Sequence, residues 1–406
     1  MADTMELRDI EVWDGNMAAS QALRQVQVDV VAAYPITPST PIVENYANFE
    51  ANGYVDGEFV MVESEHAAMS GCIGAAAAGG RVATATSSQG FALMVETLYS
   101  ASGMRLPIIL NVVNRALGAP LNVNGDHSDM YLGRDSGWIQ LNAYNPQHAY
   151  DLNFIAFKVA EDHDVRLPAM VHQDGFMTSH TAQGVHTMTD EEGFNFVGEF
   201  QPMNDMLDLD HPVTHGVQTE EDWHFEHKAR QQHALMTVAL PKIQEAFDAF
   251  ETLTGRRYNL VETHQMDDAE MAVICMGTSV ETAMEVVNEL RAQGIKAGVV
   301  GIRVFRPWPL EQLAEVLKNV KAIGALDRSS PHGTVGMLYN EIAGTLFNTD
   351  AKPVLTNYIY GLGGRDLTKA HLVGIFNDLK ANMDAGKPTT ALQQYIGLRG
   401  PKLSFF

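Results

Sequence analysis

AAYPITPSTPIVENYA, residues 32–47, lies directly after the apolar run Val28–Val31 and spaces Pro35, Pro38 and Pro41 three residues apart, with Thr37 and Thr40 between them. Proline fixes φ, lacks an N–H and forces the preceding residue into extended geometry, so this segment cannot continue a strand or a helix interior. It reads as a stiff loop carrying a buried strand into a helix. Thr40 suits the N-cap, Pro41 the first helical position, and Ile42, Val43 and Tyr46 the apolar face.

The same alternation continues outward through the first 180 residues. Apolar runs at Val26–Ala33, Phe59–Val62, Val82–Thr86, Pro107–Val113 and Ala169–His172 alternate with helical patterns at 40–50, 65–79 and 90–103. Strands alternating with helices imply an α/β architecture with a parallel sheet covered on both faces. The Ala- and Gly-rich stretch 66–80 predicts a helix that packs closely on a neighbour and stops at Gly79–Gly80. Ser87, Ser88, Gln89 and Gly90 follow the Val82–Thr86 strand, at the sheet edge where open α/β sheets bind ligands.

Residues 185–225 carry many carboxylates with little apolar periodicity and read as an irregular acidic excursion. A helical stretch over 222–254 ends near Gly255, and a second α/β pattern follows. Its strands are expected at Met271–Met276, Ala297–Ile302 and Ala322–Asp327, and its helices at Val280–Gln293, Pro309–Leu317 and Val335–Leu346. The pattern is flavodoxin-like, which places one domain at 1–255, a second at 265–385 and a tail at 386–406.

The chain has 406 residues, 46% hydrophobic, with a formal charge of -23. That charge excludes nucleic-acid binding, which needs clustered Lys and Arg. No signal-peptide core and no apolar run of membrane-spanning length is present in MADTMELRDI or beyond it, so a soluble cytoplasmic chain is expected. The two cysteines, Cys72 and Cys275, supply neither a disulfide framework nor an iron-sulfur site and are expected to be small buried residues.

Several polar residues fall at predicted strand ends. Glu65 opens the Ala-rich helix, where with Glu63 it equally well complements the helix dipole. Arg115 follows the 107–113 strand; it suits either a surface ion pair or a bidentate grip on a carboxylate. Asp126, His127 and Asp129 match no metal spacing and are explained by Asx-turns. MGTS (276–279) offers a helix N-terminus to an anion on the strength of one glycine, and LGGRD (362–366) is a glycine turn.

Together, YPITPST (34–40), ESEHAAMSG (63–71), TSSQGFALM (86–94), NRALGAPLNVNGDHSDMYLGR (114–134) and GLGGRD (361–366) resemble the alpha subunit of pyruvate:ferredoxin oxidoreductase and related 2-oxoacid oxidoreductases. The resemblance spans roughly 10–180 and 265–380. It implies two doubly wound domains, one facing the aminopyrimidine of thiamine diphosphate and one like the transketolase C-terminal domain. It implies oxidative decarboxylation of pyruvate with coenzyme A, electrons passing to ferredoxin. No Gly-Asp-Gly sequence is present, so the diphosphate, its Mg2+ and the iron-sulfur clusters are implied to lie on partner subunits: a beta subunit and gamma or delta ferredoxin-like subunits. The resemblance puts the cofactor-activating carboxylate on Glu65, substrate-carboxylate binding on Arg115 and Thr37, and cofactor contacts on Pro35, Ile36, Thr37, Glu65 and Gln89. 2-Oxoglutarate or a branched-chain 2-oxoacid stays open as substrate, as do a transketolase-like half-chain and a catalytically silent scaffold. His66, Met69 and the 185–225 excursion depart from the pattern.

Overall fold

Val82–Thr86 and Ile109–Asn114 are buried along their whole length, as strands must be when helices cover both faces of a parallel sheet. The computed structural model describes residue 5, residues 7–216 and residues 218–400; part of the N-terminus MADTMELRDI, and residues 401–406 of the expected tail, lie outside the described residues. The chain begins with β1 (Ile10–Trp13), α1 (Gly15–Gln25), β2 (Val30–Ala33), α2 (Thr40–Ala51), β3 (Glu58–Met61) and α3 (Glu65–Ala77). It continues through β4 (Val82–Thr86), α4 (Ser88–Gly103), β5 (Ile109–Asn114), β6 (Ile139–Asn142), α5 (Pro146–Ala160), β7 (Ala169–Asp174) and β8 (Gln183–His186). α6 (Asp190–Val197), α7 (Glu221–His233) and α8 (Leu240–Thr254) lead to β9 (Val261–His264), β10 (Met271–Cys275), α9 (Ser279–Ala292), β11 (Ala297–Ile302) and β12 (Val304–Arg306). Last come α10 (Leu310–Leu317), β13 (Ala322–Asp327), α11 (Met337–Phe347), β14 (Val354–Ile359), α12 (Lys369–Ala385) and β15 (Gln393–Tyr395).

Two sheets carry the architecture. The first has the order β12-β6-β7-β5-β4-β2-β3, parallel except for β12. Its strand order reverses between β2 and β4, which creates a switch point: the loops leaving these two strands diverge and leave a crevice at their C-terminal ends. The second sheet, β15-β14-β13-β10-β11-β9, is parallel apart from β9. Without β9 its order is that of a flavodoxin-like sheet, as expected. β1 and β8 form a separate antiparallel ribbon.

The Ala-rich helix behaves as its composition predicts. Ala68, Met69 and Cys72 of α3 are buried against β2, β4 and α4, and a methyl at Gly71 would lie 3.4 Å from the Ala32 Cβ. Both cysteines are free and buried, and burial pushes the Cys72 thiol up to about 12. No helix among the described residues is long and apolar enough to cross a membrane.

Some local expectations are corrected. The strand expected at Val26–Ala33 is only Val30–Ala33, because the end of α1 and a turn occupy the residues before it. α2 starts one residue early: Ser39, not Thr40, is the N-cap, and its hydroxyl donates to the Ile36 carbonyl rather than capping the helix. The excursion at 185–225 is not wholly irregular. α6 is closed by a Thr189–Glu192 capping box, and Asp190 receives both terminal nitrogens of the buried Arg24 at 2.6 and 2.7 Å. The expected 222–254 helix is interrupted by a π turn at Ala234–Ala239. Pro241, just after it, cannot donate to a carbonyl one turn back, and the wider turn absorbs that loss. Gly255, at φ +73, ends α8 as expected.

Candidate active site

Four loops converge at the C-terminal ends of β2, β3, β4 and β5. The loop after β2 carries Pro35, Ile36 and Thr37 at the switch point, with Thr37 exposed. β3 turns into α3 at Ser64, whose side chain accepts from the Ala67 N–H. This sets Glu65 in the first turn of α3, where the partial positive charge of the helix end favours a carboxylate. Glu65 is buried, at 7% exposure, and no hydrogen bond or ion pair to its carboxylate is found among the described residues. A buried carboxylate normally has a partner.

Gly90, in the first turn of α4, is shaped around that carboxylate. A Cβ there would sit 2.5 Å from Glu65 Oε1 and 2.6 Å from Thr86 Oγ1. The hydroxyls of Thr86 and Ser87 beside it are buried without partners. An unpaired carboxylate, two unpaired hydroxyls and a missing side chain at one point make a cradle for the polar edge of a flat ring, and these residues fit the aminopyrimidine of thiamine diphosphate.

Arg115 leaves the end of β5, 5% exposed, and its Nη1 donates to the Thr37 carbonyl at 2.9 Å. Burial pulls its guanidinium below the ordinary pKa, and Asp129 offsets this in part; arginine remains charged throughout. The Thr37–Arg115 bond joins two of the expected site residues across the crevice. Gln89 is half-buried next to Ser88, whose hydroxyl lies 2.6 Å from Gln89 Oε1.

The remaining motifs join the two halves of the chain. Asp126 makes the expected Asx-turn with the Ser128 N–H at 2.9 Å and also accepts from the Gly363 N–H at 3.0 Å, so GDHSD docks on LGGRD. His127 Nε2 lies 2.6 Å from Asp174 Oδ1. Asp174 also takes Arg328 Nη1 at 2.8 Å and the N–H and hydroxyl of Thr278 at 3.0 and 2.6 Å. Burial alone would raise Asp174; Arg328 and His127, with the hydrogen bonds from His127 and Thr278, hold it well below the usual carboxylate range. The anion at the MGTS turn is therefore the chain's own Asp174, and a Cβ on Gly277 would come within 2.7 Å of it. No cluster of metal-ligating side chains is found among the described residues. A cleft of about 1060 Å³ between Leu240, Arg257 and Trp308 contains none of the site residues.

Sequence reasoning missed the role of Gly90, which it placed at the ligand-binding sheet edge but not against Glu65. It also passed over Asp129, which was grouped with a loop that explains its neighbour Asp126.

The family model described as "Pyruvate flavodoxin/ferredoxin oxidoreductase, thiamine diP-bdg" matches residues 21–246, and that of "Pyruvate:ferredoxin oxidoreductase core domain II" matches 269–372. The chain belongs to the pyruvate:ferredoxin oxidoreductase family. It is 47% identical to pyruvate synthase subunit PorA of Thermotoga maritima, over 95% of this chain and 97% of that one. It is 42% identical to ketoisovalerate oxidoreductase subunit VorA of Pyrococcus abyssi, over 95% of this chain and 97% of that one. Among solved structures, the 2-oxoglutarate:ferredoxin oxidoreductase of Magnetococcus marinus superposes with a TM-score of 0.70 at 20% identity, covering 94% of this chain and 67% of that one. A split-gene transketolase superposes at 0.54 and 14% identity, covering 91% and 99%. Both likenesses concern the fold alone. The first family model thus makes the Glu65–Gly90 crevice part of a thiamine-diphosphate-binding domain.

Proposed function

We propose that this chain is the alpha subunit of a 2-oxoacid:ferredoxin oxidoreductase acting on pyruvate, with coenzyme A as acyl acceptor and ferredoxin as electron acceptor. The observation that carries this reading is the unpaired, buried Glu65 carboxylate facing the same crevice as the Arg115–Thr37 pair. Bound thiamine diphosphate supplies the electron sink for decarboxylation. Glu65 accepts a hydrogen bond from the protonated ring nitrogen of the pyrimidine and holds that proton in place. Pro35 and Ile36 hold the ring end of the crevice rigid, and Gln89 offers its amide beside it. Arg115, one nitrogen already fixed by the Thr37 carbonyl, presents its remaining donors to the substrate carboxylate, with the Thr37 hydroxyl beside them. A beta subunit supplies the diphosphate and Mg2+ site and an iron-sulfur cluster, and gamma or delta subunits carry electrons onward. Residues 1–255 and 265–385 are read as the pyrimidine-facing and transketolase C-terminal-like domains.

The 42% identity to a ketoisovalerate subunit favours a branched-chain 2-oxoacid as a second substrate reading. Purified complex assayed with pyruvate and 2-ketoisovalerate decides between them by the ratio of kcat/KM, and a ratio below one would replace pyruvate. The isolated chain is expected to show no 2-oxoacid-dependent reduction of a viologen dye; turnover without a partner refutes the half-site. Arg115→Ala in the complex is expected to cost about 2–5 kcal/mol in kcat/KM. Normal kcat/KM in that variant removes Arg115 from the site.

A further inference from the structure

Asp129 is completely buried, yet none of its contacts points into the crevice. Its Oδ2 accepts the backbone N–H of Ser88 at 2.8 Å and that of Arg115 at 2.9 Å. Its Oδ1 accepts Asn114 Nδ2 at 2.9 Å and the Met130 N–H at 2.8 Å. Four donors from three segments saturate both oxygens, so the carboxylate has no capacity left for substrate or cofactor. Two of these donors belong to the loops that deliver Gln89 and Arg115. Ser88 is also held at φ +47, a conformation a serine rarely adopts, and its hydroxyl reaches the Ala116 carbonyl at 2.6 Å. The segment beyond β4 is thereby tied to the segment beyond β5 by both backbone and side chain.

We propose that Asp129 is a positioning residue for substrate recognition: one carboxylate oxygen clamps the backbone of Arg115 and Ser88 together, fixing the guanidinium and the Gln89 loop in one register over the crevice. This rests on the reading of Arg115 as the substrate-carboxylate ligand. The charge is stabilised by its donors although burial pushes the carboxyl up to about 6. Asp129→Ala removes the clamp. Asp129→Asn keeps one acceptor oxygen for the backbone N–H groups of Ser88 and Arg115; Asn114 can turn its own amide to meet the new one, and only the Met130 N–H loses its acceptor.

The test uses the assembled complex. Asp129→Ala is expected to raise KM for pyruvate about 10- to 30-fold, as misplacement of a binding group does. Cofactor C2–H exchange without substrate should slow by less than KM rises, because Glu65 itself is held by α3 and only the Gln89–Gly90 side of its cradle loses the clamp. Asp129→Asn should recover KM to within about threefold. The double variant Arg115→Ala with Asp129→Ala should be no worse than Arg115→Ala alone, the signature of two residues acting through one contact. If Arg115→Ala impairs KM and the losses add, Asp129 acts elsewhere and the proposal fails while the reading of Arg115 stands. If Arg115→Ala leaves KM unchanged, the reading of Arg115 itself fails and takes the proposal with it. Should Asp129→Ala not assemble, Asp129→Ser, with one short acceptor, should still raise KM at least about fivefold, and an unchanged KM in it overturns the proposal.

Discussion

Gly90→Ala tests whether the Glu65 cradle is functional. The added methyl would lie 2.5 Å from Glu65 Oε1, 2.6 Å from Thr86 Oγ1 and 2.7 Å from Glu65 Cγ, whereas ordinary contact begins at 3.4 Å. Both neighbours must give way, the glutamate by about 0.9 Å and the unpaired Thr86 hydroxyl by about 0.8 Å, from the differences between 3.4 Å and 2.5 and 2.6 Å. The stability cost is small because two effects oppose: alanine gains about 1 kcal/mol of helix propensity, and overpacking costs about 1–3 kcal/mol. A net loss of about 0–2 kcal/mol leaves the chain folded. Catalysis is far more sensitive, since a shift near 1 Å in a positioned group costs on the order of 100-fold. The assay pairs thermal unfolding of the assembled complex with C2–H exchange of the bound cofactor and dye reduction by pyruvate. Exchange and turnover at wild-type rates in a variant with a normal Tm would mean that the carboxylate beside Gly90 does not activate the cofactor.

Glu65→Gln keeps the shape and removes the charge, so cofactor binding should persist while C2–H exchange slows on the order of 100-fold or more; unchanged exchange assigns the role to another group. Asp174→Ala strands the buried Arg328 and His127 and should cost about 3–5 kcal/mol in chemical denaturation, whereas a loss under 1 kcal/mol would deny that these groups depend on Asp174. Burial, with His127 nearby, depresses His172 to about 3. Its stabilising neutrality is complete above the unfolded pKa of about 6.5 and lost as pH falls toward 3, amounting to about 2 kcal/mol by pH 5. Asp129, raised to about 6, acts in the opposite sense, gaining stability as pH falls from about 6 toward 4. Urea unfolding of wild type and His172→Leu at pH 7 and 5 isolates the histidine: the variant should lose less on acidification, and parallel losses would exclude it.

The strands and the loops at their ends were legible because buried parallel strands are continuous apolar runs and proline and glycine punctuate them. α1 and α5 were not. Their faces carry Asn16, Gln21 and Arg24, and Asp151 and Asn153, which look solvated until their partners are known. Arg24 finds Asp190, Asp151 finds Arg256 and Tyr258, and Asn153 exchanges amide bonds with Asn111, all more than 40 residues away. The site residues at strand ends could be picked out because each sits one loop from an apolar run. Asp129 could not, because two of its four donors, those that tie the site loops, are backbone groups 14 and 41 residues distant, and no side-chain pattern marks a backbone N–H.

β12 has a consequence for anyone who would cut this chain into parts. The linker after Gly255 looks like a natural place to sever it, but Val304–Arg306 lies beyond that point and closes the first sheet against β6. A fragment ending near residue 260 would expose the backbone of β6, whose four residues are now all buried, as a bare pairing edge. The complementary fragment would display Val304 and Phe305, both now fully buried, with nothing to cover them. Grafting the second half of a relative onto this first half therefore means choosing a junction that keeps β12 and β6 from the same parent. Otherwise the two pieces should aggregate rather than recombine.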